Sequence, residues 1–320
     1  MEIPDLTAVV LTWNEAVNVR RCLASIEGLC PVLVVDSGST DETVAVCTAA
    51  GATVVHHSYS NHATQWQWAL DNLPLAADWV LALDADFVVT PALRRRLRDQ
   101  LASVPGDVAG IYVRHLYRFG GATIRFGGHK RSWLRIVRRG RARADLSDLV
   151  DFRFLVDGRT IVWREGVLED NVHDEDISTW TSKQDKFSLR LAVEEELRRS
   201  RLLDWEGRSS PFGNSDERTM WLRDRWLRMP LFLRPVLYFL YRYVVRGGFL
   251  DGRGGFLYHF LQGFWLRLTV DWKTMQLRRL ELTPQQLLAV RDAMLRTHGG
   301  SVARVVAEVP GPMAEEASGS

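Results

Sequence analysis

The sequence predicts an α/β protein with a mostly parallel sheet and flanking helices, on three observations. Short runs rich in Val and Leu recur at residues 7–12, 32–35, 52–56 and 79–83, as expected for strands buried on both faces. Helical patterns separate these runs at residues 14–27, 41–50 and 61–73. With 46% apolar and 25% charged residues in a chain of 320, the composition supports one large core.

Local sequence features support each of the predicted helices. The segment at 14–27 repeats its apolar residues at the spacing of one helical face. The segment at 41–50 follows a Ser-Thr-Asp run that suits a helix start, and it stops at Gly51, a favourable residue after a helix. The order β-α-β-α-β-α-β predicts a doubly wound layer, whose ligands bind beyond the carboxyl ends of the strands.

The rest of the chain is less regular. Strands are predicted at 109–117 and 161–163, and a helix at 176–200. A second helix starts at Thr283-Pro284 and runs to about residue 297, with Pro at its first position. We therefore divide the chain into a domain at 1–200 with halves 1–104 and 105–200, an aromatic and Arg-rich helical region at 201–280, a helix and extension at 281–309, and a disordered tail at 310–320.

Composition excludes several classes of protein. The 41 basic and 39 acidic residues leave a net charge of +2, whereas a dedicated nucleic-acid binder would show a strong basic excess. The three cysteines are odd in number and lack the CxxC spacing of a zinc site. Early acids and a short first apolar run argue against a signal peptide. We expect a cytoplasmic protein with no nucleic-acid partner.

Acidic residues follow two of the predicted strands. Asp36 stands at the end of the run 32–35, where a carboxylate could receive a base or ribose hydroxyl, while Asp41 further along suits a helix cap. Asp84 and Asp86 come directly after the run 79–83. Carboxylates two residues apart at a strand end can turn to one ligand, and their hard oxygens suit Mg²⁺ or Mn²⁺. A simple polar turn is the alternative interpretation.

A third acidic run covers residues 169–176, with five acids and one histidine. A solvated loop explains some of these acids, but the run also follows an apolar stretch at 162–168. A carboxylate here could act as a general base, and His173 could bind a metal or serve only a structural role.

Taken together, these residues resemble family 2 glycosyltransferases with the GT-A fold. The resemblance covers about the first ninety residues and rests on Thr12-Trp13-Asn14-Glu15, the run from Val35 to Asp41, Gln65 to Leu70, and Leu83-Asp84-Ala85-Asp86. Later pieces are similar to a bacterial branch that includes lipopolysaccharide-core and cell-surface polysaccharide glucosyltransferases. These are Gly127-Gly128, Arg138-Arg139-Gly140, the acidic run with Trp180 and Gln184, and the segment from Gly247 to Gly252.

The resemblance implies an inverting transfer of a hexose from a nucleotide-diphospho-sugar, with UDP-glucose as the donor it suggests most, to a lipid-linked or lipopolysaccharide-core acceptor. The half at 1–104 would then bind the donor and the half at 105–200 the acceptor. Asp84 and Asp86 would hold Mg²⁺ or Mn²⁺ against the diphosphate, with His173 as a possible further ligand. The donor pocket would comprise Thr12, Asn14, Glu15, Asp36, Gln65 and Asp84.

The same resemblance implies that a base in the acidic run deprotonates the acceptor hydroxyl. Asp174 is the first choice, with Glu175 and Asp170 as alternatives. The chain departs from the family pattern at three places: Phe87 stands where an acid is usual, Gln67 stands where Asn is common, and Asp176-Ile177 replaces a frequent basic residue. The last departure leaves the identity of the base open.

Two other functions are alternatives to glycosyl transfer. A sugar-nucleotidyltransferase would normally have a glycine-rich basic loop after the first strand, where this chain has Thr12-Trp13-Asn14-Glu15. A non-catalytic, membrane-associated scaffold with a nucleotide-sugar fold would not need Asp84 and Asp86. Release of a nucleoside diphosphate distinguishes a glycosyltransferase from both.

The region at 201–280 carries 14 basic and 7 acidic residues and five of the 12 Trp. Its longest uncharged stretch, residues 254–266, is too short for a membrane span, which needs roughly 20 residues. Phe, Tyr, Trp and Leu mixed with spaced Arg are typical of helices at a membrane surface, but also of an oligomer interface. We expect residues 221–272 to contact the inner face of the cell membrane, and a homo-oligomer stays possible.

Overall fold

The computed structural model describes residues 2–128, 132–171, 176–297 and 302–307. Its strands are β1 (Leu6–Thr12), β2 (Val32–Asp36), β3 (Thr53–His56), β4 (Trp79–Asp84), β5 (Phe87–Val89), β6 (Val108–Phe119), β7 (Ala122–Ile124), β8 (Ser132–Arg138), β9 (Ala142–Ala144), β10 (Phe154–Val156) and β11 (Arg159–Glu169). Nine of them form one sheet in the order β3-β2-β1-β4-β8-β6-β11-β5, with β7 paired to β6. β9 and β10 pair separately.

Eleven α-helices lie within the described ranges. They are α1 (Ala16–Ile26), α2 (Thr43–Ala49), α3 (His62–Asn72), α4 (Pro91–Gln100), α5 (Ile177–Arg199), α6 (Ser215–Leu227), α7 (Leu233–Leu240), α8 (Gly252–Tyr258), α9 (Leu266–Arg279), α10 (Pro284–Thr297) and α11 (Val302–Ala307). Two π-helical turns, Tyr241–Val245 and His259–Trp265, follow α7 and α8 directly. The segments predicted from periodicity in the first hundred residues therefore match observed elements to within about two residues.

The first four large strands form the parallel half of the sheet. β1 pairs in parallel with β2 and β4, and β2 with β3. All seven residues of β1 are buried, because helices cover both faces: α1, α2 and α4 pack on one side, and α3 packs on the other with β9 and β10. This is the doubly wound layer that the sequence predicts.

The second half of the sheet is mixed. β8 runs antiparallel to β4 and β6, β11 runs parallel to β6, and β5 runs antiparallel to β11 at the edge. The strand predicted at 161–163 is the middle of the longer β11. Its pairing is irregular at Gly166, where an added Cβ would lie 1.7 Å from the carbonyl oxygen of Arg114, so only glycine allows this close approach of the two strands.

The C-terminal helices share a core with α5. Apolar residues of α5, α9, α10 and α11 form one buried cluster together with Leu149. The helix that ends the predicted domain 1–200 therefore packs directly against helices beyond residue 200. The exact domain division stays a prediction.

Residues 233–265, here named the helical arm, fold as two antiparallel helical segments joined by a short turn. Aromatic rings join them: the ring centroids of Phe239 and Phe260 lie 6.2 Å apart, and those of Tyr243 and Phe256 lie 5.6 Å apart. The outer side of the arm, here named the apolar face, remains exposed and consists of Leu233, Leu237, Leu240, Tyr241, Val244, Val245, Phe249, Leu250, Phe256, Leu257 and Phe260. Within the described ranges, no helix has both the length and the apolar character needed to cross a bilayer.

Not every arginine of this region faces outward. Arg234 and Arg242 are almost completely buried. Arg234 is ion-paired with Asp271 and Glu195, and Arg242 donates a hydrogen bond of 3.0 Å to the carbonyl oxygen of Gly127. These two arginines thus attach the arm to the rest of the protein.

Candidate active site

Three neighbouring strands bring the predicted donor residues to one edge of the sheet. In the parallel register, Thr12 lies opposite Asp36, and Leu11 lies opposite Asp84. The carboxyl ends of β1, β2 and β4 therefore place Thr12, Asp36 and Asp84 side by side. This is the edge where doubly wound sheets bind ligands.

The carboxylate of Asp36 organises the loop that follows β2. It accepts hydrogen bonds from the hydroxyl of Thr12 at 3.0 Å, from the amides of Gly38 and Ser39 at 2.9 Å each, and from the hydroxyl of Ser39. These four bonds offset the cost of burying the charge. In this structure Asp36 acts on the pocket by shaping its loop.

The loops after β1 and β2 are joined to each other. Asn14 has a left-handed backbone with φ 53°, and its side-chain oxygen accepts a hydrogen bond of 2.8 Å from the amide of Thr40. The amides of Asn14 and Glu15 donate to the hydroxyls of Ser39 and Thr43, both at 2.8 Å. The two loops thus form one rigid rim.

Gln65 connects this rim to the end of β3. Its amide nitrogen donates to the hydroxyl of Ser37 and to the carbonyl oxygen of His57, both at 3.1 Å. Its amide oxygen lies 2.7 Å from Nδ1 of His57. Since Gln65 is buried, its contribution to the pocket is to hold these loops in place.

Both oxygens of Asp84 face a basic side chain. Nε2 of His62 lies 3.1 Å from Oδ1, and Nη2 of Arg135 lies 3.5 Å from Oδ2. Burial would raise the pKa of Asp84, but Arg135 and His62 outweigh it and lower the pKa to about 2. Asp84 is therefore a carboxylate at any physiological pH.

Arg135 lies among aromatic rings. Its guanidinium carbon is 4.7 Å from the ring centroid of Phe87, 4.6 Å from that of Phe152 and 5.4 Å from that of Trp133. Its side chain is almost fully buried, and Nε and Nη1 find no hydrogen-bond partner among the described residues. Ring faces and Asp84 together stabilise a cation that has little access to water.

Asp86 stands in an excess of negative charge. Burial, and then the carboxylates of Glu169 and Asp84, raise the pKa of Asp86 well above its ordinary value, against the opposing charge of Lys183. The carbonyl oxygen of Asp86 accepts a hydrogen bond of 3.0 Å from the amide of Asp170. The acidic run after β11 is thus attached to the Asp84-Ala85-Asp86 turn.

The first acids of that run already have partners. Glu169 lies 2.8 Å from Nε2 of the buried His115. Asp170 pairs with Arg21 at 2.8 Å and with Arg118 at 3.4 Å. Asp170 is therefore engaged in ion pairs, which makes it a weaker candidate for a base than its place in the sequence indicates.

The acids around Asp86 fit a divalent cation. Mutually repelling carboxylates at Asp84, Asp86 and Glu169 would be stabilised by a positive ion. Within the described part of the chain, no group of three or more His, Cys, Asp or Glu side chains forms a metal site by itself. An ion held by one or two carboxylates that completes its shell with phosphate oxygens and water matches this arrangement.

The remaining predicted site residues fall at the end of the acidic run. His173, Asp174 and Glu175 lie outside the described residues. Asp176 caps α5, accepting hydrogen bonds from the amides of Ser178 and Thr179 at 3.1 and 3.2 Å. Hydrogen bonds from Thr179 and Ser178 lower the pKa of Asp176 to about 2. The departure at Asp176 from the family pattern therefore has a local structural reason.

Reasoning from sequence did not place His62 or Arg135 at the carboxylate of Asp84. His62 is the first residue of α3, which follows β3 at the same edge of the sheet. Its position in the predicted helix could therefore have indicated that it lies near the strand ends. Arg135 was one of several arginines between 135 and 143, of which Arg138 instead packs over the ring of Trp79 at the far end of the sheet.

The helical arm packs beside the strand that carries Glu169, the first residue of the acidic run. The ring centroids of Tyr258 and Tyr117 lie 4.9 Å apart, and Tyr117 is the register partner of Glu169. The apolar face is therefore attached to the same part of the sheet as the acids.

The fold and site define a class of protein. A doubly wound half with a polar rim at its strand ends, followed by a pair of aspartates, is typical of enzymes that use nucleotide sugars. The model for glycosyl transferase family 2 matches residues 7–166, half of the chain. The chain therefore belongs to glycosyl transferase family 2 and is a nucleotide-sugar-dependent glycosyltransferase, which confirms the family and fold expected from the sequence.

Several known proteins are similar to this chain. The lipopolysaccharide core biosynthesis glycosyltransferase LpsC of Rhizobium meliloti is 28% identical over 271 residues, which are 80% of this chain and 89% of that protein. An uncharacterised glycosyltransferase of Rickettsia conorii is 36% identical over 97 residues, only 30% of this chain and 32% of that protein. Glucosyl-3-phosphoglycerate synthase of Mycobacterium tuberculosis, crystallised with Mn²⁺ and UDP, is 24% identical over 37% of this chain and 45% of its own, with a TM-score of 0.29.

Proposed function

We propose that this enzyme transfers glucose from UDP-glucose, with inversion and with Mg²⁺ or Mn²⁺, to a hydroxyl of a lipid-linked or lipopolysaccharide-core acceptor in cell-envelope polysaccharide synthesis. One observation carries the metal-dependent chemistry: Asp86 directly follows β4, which ends at Asp84, and lies in an excess of negative charge from Glu169 and Asp84. LpsC, which matches along most of both chains, supports the class of acceptor.

In this proposal the donor lies along the edge formed by β1, β2 and β4. Thr12, Asn14, Glu15, Asp36 and Gln65 form its pocket, partly by contact and partly by holding the loops. Asp84 and Asp86 would hold the divalent ion, whose positive charge would stabilise the diphosphate leaving group. His173 would be a further ligand. Asp174, or else Glu175, takes the proton of the acceptor hydroxyl, while Asp170 is occupied by ion pairs.

The apolar face supports a membrane-bound acceptor. Its side chains are unusually exposed for apolar residues, with Val245 at 72% and Leu250 at 58%, and many exposed apolar side chains on one helical segment are typical of an interaction site. Arg246 and Arg253 beside it are exposed and suit anionic head groups. The enzyme would then lie on the inner face of the membrane, with Asp84, Asp86 and Glu169 close to the lipid-linked substrate. Contact with a second copy is the alternative.

The chemistry is tested by nucleotide release from UDP-glucose with membranes of a strain that lacks the gene as acceptor source. We expect UDP release that requires Mn²⁺ or Mg²⁺, stops with a chelator, and falls at least about 100-fold in Asp84→Ala and Asp86→Ala. Asp99→Ala on the exposed side of α4 is the matched control and should keep full activity. Formation of UTP and glucose 1-phosphate from UDP-glucose and added pyrophosphate would indicate a nucleotidyltransferase, and the absence of both reactions would indicate a non-catalytic scaffold.

The membrane contact is tested by co-sedimentation with anionic vesicles. Deleting residues 221–272 would remove the first half of α9, which shares a core with α5, so point substitutions are the cleaner test. Leu240→Asp combined with Val244→Asp should abolish binding, while Leu222→Asp, exposed on α6 outside the apolar face, should not. Equal binding by both variants would contradict the proposal, and a loss of dimers instead would favour the oligomer interface.

A further inference from the structure

A cleft opens between the hairpin of β6 and β7 and the turn that joins the two halves of the helical arm. Its volume is about 390 Å³, and it is lined by Gly121, Thr123, Arg125, Phe126, Leu250 and Asp251. This volume lies within the range of about 300–1,000 Å³ that is typical of small-molecule sites. The lining shares no residue with the donor pocket at the ends of β1, β2 and β4.

Backbone hydrogen bonds fix the shape of the cleft. The carboxylate of Asp251 accepts hydrogen bonds from the amide of Arg125 at 3.0 and 3.1 Å and from the amide of Phe126 at 2.9 Å. The amide of Gly127 donates to the carbonyl oxygen of Arg246 at 3.0 Å. Since these bonds use main-chain groups, the side chain of Arg125 is not needed to hold the turn. The carboxylate of Asp251 is in turn occupied by N–H groups, which reduces its repulsion of an anion.

The cleft and its rim are rich in exposed arginine. Arg125 lines the cleft, and Arg246 and Arg253 stand on either side of the turn in the chain; all three are exposed. The side chain of Arg246 extends along Gly128, where an added Cβ would lie 3.0 Å from Nε, and it donates to the neutral hydroxyl of Tyr241 at 3.4 Å. The planar fork of N–H donors on an arginine matches the geometry of a phosphate. The cleft therefore suits a phosphate group.

One wall of the cleft is continuous with the apolar face. Leu250 belongs to that face, and Phe126 on the other side of the cleft is 38% exposed. An added Cβ on Gly247 would lie 3.2 Å from Leu250 and 3.9 Å from Phe126, so the two apolar side chains lie around one glycine. A lipid whose chains follow the apolar face would thus present its head group at the mouth of the cleft.

The opposite wall leads to the acidic run. Thr123 of β7 is the register partner of Arg118 on β6, and directly opposed residues of an antiparallel pair lie on the same face of the sheet. Nη1 of Arg118 lies 3.4 Å from the carboxylate of Asp170, whose amide donates to the carbonyl oxygen of Asp86 at 3.0 Å. The cleft therefore lies between the apolar face and the acids of the proposed reaction.

We propose that this cleft binds the phosphate group of the lipid-linked acceptor, with the guanidinium of Arg125 as its main contact. The inference rests on the proposed glycosyl transfer at a membrane surface and adds the part of the acceptor that is recognised besides the reacting hydroxyl. A phosphate held here keeps the lipid on the apolar face and directs the attached glycan toward the acidic run. Inorganic phosphate and bulk phospholipid carry the same chemistry, and the test separates them from the acceptor.

The test measures transfer from UDP-glucose to membranes of a strain that lacks the gene, with lipid-extractable label as product. Arg125→Ala should raise the KM for these membranes about tenfold or more, because a charge-assisted hydrogen bond to phosphate is lost. The loss should fall on KM and not on kcat, since the contact is remote from the reacting bond. Arg95→Ala, at an exposed position on α4, is the matched control and should keep the wild-type KM. Arg125→Lys, which keeps the positive charge, should lie between the two.

Two additions to the assay identify the source of the phosphate. The difference in KM between Arg125→Ala and wild type should persist in phosphate buffer and in the presence of phosphatidylglycerol vesicles. If either addition removes the difference, the ligand is inorganic phosphate or bulk phospholipid, and the inference is overturned. Co-sedimentation with phosphatidylglycerol vesicles should be equal for Arg125→Ala and wild type, because the apolar face is intact in both.

The remaining outcomes are also decisive. A wild-type KM in Arg125→Ala, or a loss of kcat alone, overturns the inference and leaves the proposed function standing. Loss of vesicle binding by Arg125→Ala overturns it in favour of a general membrane contact. Wild-type protein that binds the vesicles but transfers no label to the membranes would instead contradict the proposed function.

Discussion

His259 should make the protein sensitive to acid. It is fully buried at the start of the second π-helical turn, and neither ring nitrogen has a hydrogen-bond partner among the described residues. Two glycine turns enclose the ring: a Cβ on Gly127 would lie 2.0 Å from it and a Cβ on Gly248 2.5 Å. Burial, and then Arg242, lower the pKa of His259 to about 4 from an ordinary 6.5.

The direction and size of the effect follow from linkage. Between these two pKa values the unfolded chain binds the proton and the folded protein does not, so acidification favours unfolding. The stability is complete above about pH 6.5 and is lost progressively down to about pH 4. Between about pH 7.5 and about pH 5 the histidine should lower the free energy of unfolding by about 2 kcal/mol.

Urea unfolding at about pH 7.5 and about pH 5 measures the contribution of His259 to the free energy of unfolding. Wild type should lose about 2 kcal/mol more on acidification than His259→Gln, which cannot titrate, whatever the substitution costs at neutral pH. His56→Gln, at an exposed position on β3, is the matched control and should keep the wild-type pH dependence. If His259→Gln loses as much stability as wild type between the two pH values, the reasoning is refuted.

Three further predictions concern stability. Gly127→Ala should lower the free energy of unfolding by about 2–4 kcal/mol, because the φ of Gly127 is +80° and the new Cβ meets the buried ring of His259. The control Gly106→Ala, which has open space around the new Cβ, should change the free energy of unfolding by less than about 0.5 kcal/mol in the same denaturation assay. Asp176→Ala should lower the melting temperature, whereas Asp176→Asn should not, because Asn still caps α5. Neither substitution should change the rate of glycosyl transfer by the folded enzyme. Slow transfer by Asp176→Asn would instead give Asp176 a catalytic role. Arg135→Met should raise the pKa of Asp84 and lower the free energy of unfolding by about 3 kcal/mol, because it leaves a partly buried carboxylate with one basic partner fewer. A cost near zero in chemical denaturation would mean that the pairing of Arg135 with Asp84 does not stabilise the fold.

The order of elements and the position of the aspartate pair could be read from the sequence. Buried parallel strands appear as short apolar runs, and polar residues that follow such runs must gather at one edge of the sheet. This is why Thr12, Asp36 and Asp84 were predicted together and lie together in the structure. The cap at Thr283-Pro284 was equally readable, since helix α10 begins at Pro284, where local chemistry decides the start.

What each acid does was decided by tertiary structure. In the sequence, Glu169, Asp170 and Asp176 are equal members of one acidic run. In the fold, His115 pairs with the first, Arg21 and Arg118 with the second, and the third caps a helix. Charges and partners come from strands and helices far away in the chain, so no local pattern reports them.

By itself, then, the sequence determined the doubly wound sheet, its polar edge and the amphipathic character of the C-terminal region, because these depend on periodicity and on residues that are neighbours in the chain. Only the tertiary structure brought His62 and Arg135 to Asp84. It also buried two arginines of the helical arm, Arg234 and Arg242, and left the apolar face exposed. Burial and electrostatic pairing depend on distances between remote segments, and those distances exist only once the chain has folded.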